Sequence, residues 1–155
     1  MRIVSHTCSN TEIVCALGCG DWLVGVDEDS DHPATVVNAL PQLGRDLSLG
    51  VARVAALKPD LVLSSGTLPG HARIVSDLRA AGLHTLVCDP LRLADIYRDI
   101  ERIAAALQVP ERGAALVADM QAAMPPVQAA ARRPRVLVEW WPKPVIAPTR
   151  DSWVT

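Results

Sequence analysis

The sequence predicts an α/β fold: a parallel-sheet, Rossmann-like N-terminal lobe, a long spine helix, and the start of a second lobe. Three observations carry that expectation. Over residues 2–89, short apolar runs alternate with amphipathic stretches in the order strand, helix, strand, helix, strand, helix, strand. The run "DLVLSS" (60–65) is almost wholly apolar, as in a strand covered on both faces. From Leu93 onward the apolar residues adopt the 3.6-residue period and hold it through Leu107.

Each element has a local reason. "RIVS" (2–5) is a short apolar run that reads as a strand. Ser9, with Glu12 three residues later, matches a capping box, and Ile13, Val14, Ala16 and Leu17 supply the buried face of the helix it opens. Gly18 or Gly20 suits the end of that helix. "WLVGV" (22–26) reads as a second strand and "DEDSDHP" (27–33) as a loop, after which Pro33 can open a short helix over "ATVVNAL". "LSLGVARVAALK" (47–58) is amphipathic, offers Leu49, Val54 and Leu57 to a core, and is closed by Pro59. After the strand at 60–65 comes the loop "GTLPG", then a helix over 71–82 closed by Gly82, then a strand over "HTLVCD" (84–89). Helical periodicity over 93–107 and again from Pro110 to about Met124 makes one long helical connection. Pro125 and Pro126 break it, and "RVLVEWW" (135–141) reads as a new strand.

Composition excludes several classes. With 155 residues the chain can bury a real core. Its formal charge of −2 gives no electrostatic case for nucleic acid. No run approaches the ~18 apolar residues that span a bilayer. The start "MRIVSHTC" lacks the basic and then apolar segments of a secretory signal, which keeps a cytoplasmic location open. Cys15 and Cys19 are helix neighbours four apart and could serve a metal, but without a nearby His they read as small buried apolar residues.

In an open parallel sheet, ligands gather beyond the carboxyl ends of the strands. Those ends fall at residues 5–10, 27–32, 64–70 and 88–90, and the four loops should share one rim. Asp29, Asp31, His32, Ser65 and His71 crowd that rim. Catalytic signatures are missing. Ser65 and His71 suggest a hydrolase, yet no GxSxG elbow exists, and neither a dinucleotide nor a P-loop glycine pattern is present. No catalytic or metal-ligating residue is assigned. There is no Phe and one Tyr, and only Trp22 lies within residues 1–90, so aromatic stacking surface is scarce.

The stretch "RIVSHTCSNTEIVCALGCGDWLVGVDEDSDHP", then "LGRDLSL" and "VAALKPDLVLSSG", resembles the vitamin B12- and ferric-siderophore-binding proteins of ABC importers. "SNTE" followed by "ALKPDLV" is the more specific pair, and "RVLVEWWPKPVIAP" resembles the first strand of the second lobe in the cobalamin-binding branch. The resemblance implies a two-lobed substrate-binding protein, not an enzyme. Residues 1–92 would form the N-terminal lobe, 93–133 the spine, and 134–155 the first strand of an incomplete C-terminal lobe. It also implies a cobalamin-like or ferric-chelate ligand at the inter-lobe cleft, no cofactor, a permease as partner, and a periplasmic or extracytoplasmic location. By position the ligand-binding residues are Cys8, Ser9, Asp29, His32, Arg45, Ser65, Gly66 and Trp140. Cys8 stands where the family carries a pocket proline, and Asp29 and His32 stand at aromatic positions of the family's "SDYP" loop. Two further readings remain. One is an interaction protein that pairs with another copy through apolar surface near Val136–Trp141. The other is a metal-dependent hydrolase using Asp29, Asp31 and His32.

Overall fold

Alternate residues of the first and third strands point to opposite sides of one sheet, and each side has its own core. The computed structural model describes residues 1–124, 137–139, 141–142, 145–146 and 152. Strands β1 (Ile3–Ser5), β2 (Leu23–Val26), β3 (Leu61–Ser65) and β4 (Thr85–Cys88) form a wholly parallel sheet in the order β2-β1-β3-β4. This is the expected α/β lobe. The helices α1 (Cys8–Ala16), α2 (Ala34–Val37), α3 (Val51–Ala56) and α4 (His71–Ala80) occupy the crossovers. Strand β3, flanked by β1 and β4, is buried along all five residues, as its continuous apolar run requires.

On one face Ile3, Leu61 and Leu63 pack with Val14 and Leu17 of α1. On the other Val4 and Val62 pack with Val54 of α3 and Ile74 and Leu78 of α4. The period-2 alternation of a strand sorts these side chains between two helical layers. Helix α5 (Leu93–Ala106) belongs to the first layer, for Ile103, Ala104 and Leu107 lie in the same cluster as Ile3 and Leu63.

The long helical connection is two helices, not one continuous rod. The chain turns at Gln108, whose φ is +61°, and α6 (Pro110–Ala123) folds back on α5. Gly113 permits the close approach: a Cβ there would sit 2.5 Å from Cβ of Ala104. The amphipathic stretch at 47–58 is likewise divided into a 3-10 turn over Asp46–Ser48 and α3, with Gly50 between them. Of the strand expected at 135–141, residues 137–139 have no regular structure. Trp141–Pro142 (β5) pairs antiparallel with Val145–Ile146 (β6), apart from the main sheet. The remainder of that expectation lies outside the described residues.

No helix of the described residues is long and apolar enough to cross a membrane.

Candidate ligand-binding site

Because β2 lies on one side of β1 and β3 on the other, the order in which strands are added reverses beside β1. A crevice opens at such a switch point, outside the carboxyl ends of the strands. A cavity of about 650 Å³ lies there, lined by Thr7, Cys8, Asp27, Asp29, Arg45, Asp46, Leu47, Ser48 and Leu68. Three of the four strand-end loops contribute, after β1, β2 and β3, together with the segment 45–48 that leads into α3.

The loop after β1 is strained at the cavity edge. Thr7 has φ +86°, a conformation that costs a β-branched residue on the order of 1–3 kcal/mol. Thr7 is also the N-cap of α1, and no side chain caps the helix. The capping box expected of Ser9 and Glu12 is therefore not formed. Ser9 lies inside the first turn, exposed, with its hydroxyl 3.3 Å from that of Thr7. Cys8, the first helical residue, lines the cavity. Partial desolvation raises its thiol pKa above the ordinary value, and the charges of Asp27 and Glu12 add to the effect.

Asp29 and Arg45 form the polar edge. Arg45 donates to Asp29 Oδ1 at 3.0 Å, and the backbone N–H of Asp46 donates to Oδ2 at 3.0 Å. The Asp46 amide and then the guanidinium hold the Asp29 carboxyl below the usual carboxylate range. Leu47 and Leu68 supply an apolar side: they are 57% and 44% exposed, large values for leucine at a cavity mouth.

Asp27 is wholly buried, and its Oδ2 has no hydrogen-bond partner. Its Oδ1 lies 2.5 Å from the Ser30 hydroxyl, which lies 2.9 Å from that of Thr11, which in turn donates to Ser5 at 2.9 Å. Thr11 spends its one proton on Ser5. Ser30 donates to Asp27 Oδ1, which leaves Oδ2 as the oxygen that a proton on the carboxyl would occupy. Desolvation raises the Asp27 pKa, the charges of Asp29 and Asp46 add to it, and the Ser30 bond and His6 oppose it. The folded state thus holds this proton more tightly than the unfolded chain. The resulting stability is complete below the ordinary carboxylate pKa and is lost as pH rises through the elevated one. Asp27→Asn, neutral at every pH, is expected to be more stable than wild type at pH 8. The gap should be on the order of the 1–3 kcal/mol that a buried unsatisfied group costs, and should close on acidification. Urea unfolding of both proteins at several pH values checks this; a gap that widens toward low pH would contradict it.

Behind Asp46 of the cavity wall lie His6 and His71, and the ligand-type atoms of the three fall within 4.8 Å of one another. Among the described residues this cluster has the donor set of a metal site, rather than Asp29, Asp31 and His32. The orientation of His71 opposes a metal. A ligating imidazole donates its other N–H to an acceptor. Here Nδ1 of His71 faces the Leu68 N–H, a donor, at 3.2 Å. His6, bonded to Ser64 at 2.9 Å and to Asp46, completes a line of hydroxyl, imidazole and carboxylate. Ser64 is fully buried there, out of reach of any substrate.

Of the residues named from the sequence, Cys8, Asp29 and Arg45 meet at the cavity. Ser9, His32, Ser65 and Gly66 are not among its lining. His32 is exposed in the loop before α2. The buried Ser65 hydroxyl bonds that of Thr67 at 2.9 Å, and Gly66 packs against Asp89. Trp140 lies outside the described residues. Thr7, Asp27, Asp46, Leu47, Ser48 and Leu68 were not singled out from the sequence. Thr7, Asp27 and Leu68 lie in the strand-end loops 5–10, 27–32 and 64–70, a signal that could have found them; Leu47 carries no such mark.

The site is thus a rim cavity at the switch point of a parallel α/β sheet, with one polar edge and one apolar side. Over residues 3–155 the chain matches the family described as periplasmic binding protein. It belongs to that family, whose members are substrate-binding transport proteins rather than enzymes. The chain is 35% identical over 133 residues to the uncharacterized ABC transporter substrate-binding lipoprotein YvrC of Bacillus subtilis, covering 84% of this chain and 42% of that protein. Among solved structures it is similar to the apo periplasmic heme-binding protein RhuT of Roseiflexus sp. RS-1. That match has a TM-score of 0.71 and 32% identity, over 78% of this chain and 46% of that one. It is also similar to the periplasmic vitamin B12-binding protein BtuF of Vibrio cholerae, with a TM-score of 0.69 and 30% identity, over 78% and 47%. The chain spans less than half the length of these relatives.

Proposed function

We propose that this chain supplies the first-lobe half of the ligand seat of an ABC-importer substrate-binding protein, and that the ligand is a cobalamin-like molecule or a ferric chelate, heme included. The cavity is the observation that carries the reading. Its leucine side suits the apolar face of a large chelate, while Arg45 and Asp29 suit polar groups at its periphery. Relatives named for heme and for vitamin B12 support the same class. Relatives named periplasmic and lipoprotein support a seat outside the cytoplasm. An importer permease is the macromolecular partner this reading calls for.

Calorimetric titration of cyanocobalamin, dicyanocobinamide, hemin and ferric desferrioxamine tests it. One of them should bind saturably, and Arg45→Ala should weaken that binding by about three- to tenfold, the worth of one net hydrogen bond at an exposed side chain. No heat from any of the four at high micromolar levels would defeat the reading for this chain.

A further inference from the structure

His6 and His71 do not line the cavity, yet they hold the segments that do. Both rings are buried, 5.3 Å apart and nearly perpendicular, with Asp46 between them. Nε2 of His71 lies 2.9 Å from Asp46 Oδ1, and Nε2 of His6 lies 2.7 Å from the Asp46 carbonyl and 3.2 Å from Oδ1. Asp46 opens the 3-10 turn that carries Leu47 and Ser48. Leu68 is tied to His71 twice, by its N–H to Nδ1 and by its carbonyl to the His71 amide at 3.1 Å.

The partners assign the protons. A backbone N–H can only donate, so Nδ1 of His71 accepts and the ring hydrogen sits on Nε2, directed at Asp46. Nε2 of His6 faces two acceptors and carries its hydrogen there, leaving Nδ1 to accept from the Ser64 hydroxyl. With both rings neutral every bond is made.

A second proton would affect the two rings unequally. On His6 the new N–H meets a hydroxyl, which turns to accept it. On His71 it meets the Leu68 N–H, donor against donor. We propose that the His6–Asp46–His71 clasp positions the cavity wall formed by residues 46–48 and Leu68, and that protonation of His71 releases the Leu68 side. The charged groups around His71 are Asp46 on the 3-10 turn and His6 at the end of β1. Beyond them lie Asp27 and Asp29 from the loop after β2, and Arg45, which is occupied by Asp29. The Leu68 amide is the group that a second ring proton displaces.

Amide exchange read by NMR tests the release without any ligand. Between about pH 7.5 and 5.5, the range in which imidazoles change charge, protection of the Leu68 amide should fall by about five- to tenfold, the worth of one net hydrogen bond. His71→Asn keeps an acceptor near Nδ1 and cannot titrate, so its Leu68 protection should not change with pH. His71→Gln keeps the donor toward Asp46 instead, and should show low protection at both pH values. Unchanged protection in wild type, or imidazole nitrogen shifts placing the His71 hydrogen on Nδ1 at neutral pH, would overturn the proposal.

A second readout rests on the ligand reading above. Cyanocobalamin affinity should weaken over the same pH interval in wild type but not in His71→Asn. If Leu68 protection switches while cyanocobalamin affinity stays constant, the clasp is supported and the cavity is not the cobalamin seat. If protection does not switch, the clasp fails whatever the ligand does.

Discussion

Ile103→Ala is expected to destabilise the fold by about 2–5 kcal/mol, lowering the melting temperature by roughly 10 °C. Ile103 lies on α5, beyond the last strand of the sheet, yet it is wholly buried and clusters with Ile3, Val14, Leu17 and Leu63. The substitution removes the transfer free energy of the lost methylenes and leaves a void that the rigid sheet cannot fill. A domain of this size has about 5–15 kcal/mol in all, so the loss is a large fraction of the total. The physical content is that α5 is a structural layer of the first lobe and not merely a connector. Thermal unfolding followed by circular dichroism checks it. A shift below ~2 °C would show that α5 docks weakly and that the sheet holds without it.

Gly44→Ala is expected to cost about 2–5 kcal/mol, the sum of a strained backbone and an overpacked contact. Gly44 has φ +113°, a region that L side chains rarely enter, and a Cβ there would sit 2.6 Å from the Ser48 carbonyl and 3.2 Å from the Gly50 amide. Both neighbours are backbone and cannot move aside as a side-chain tip could. Gly44 also accepts the Glu28 amide at 2.9 Å, which ties the segment before Arg45 to the loop after β2. The damage should thus appear at the cavity as well as in stability. In Gly44→Ala the Asp29–Arg45 pair should lose its register, and whatever ligand wild type binds should bind at least about fivefold more weakly. Urea unfolding and calorimetry separate the two effects; normal stability with normal affinity would mean that the 44–50 segment is pliable.

The parts of the fold that were legible in the sequence are those governed by local period. Leu61–Ser65 reads as a buried strand because five successive residues tolerate no water, and the structure buries all five. The helix at 93–107 reads from its apolar stripe, and Ile100, Ile103, Ala104 and Leu107 of that stripe face the core. The break after it was less visible. Gln108 gives no sign of a positive φ, and the close approach of α6 to α5 that Gly113 allows at Ala104 is a contact between helices. Ser9 reads as a helix cap because its spacing to Glu12 is right, but the loop after β1 enters α1 two residues earlier than a Ser9 cap would, and the pattern goes unused.

The candidate site divides the same way. Cys8, Asp29 and Arg45 were found through strand ends and family motif, and they converge on the cavity. Asp46 was not, although it organises the wall, because its partners are 40 and 25 residues away in the chain and no local pattern links them.

Hydrophobic period and turn chemistry act between near neighbours, so the sequence by itself determined the strand and helix order, the parallel sheet, and the family. Which loops meet, which histidines share a carboxylate, and which aspartate is desolvated depend on contacts between residues far apart. Those contacts exist only once the sheet has brought its strand ends together, and the tertiary structure decided them.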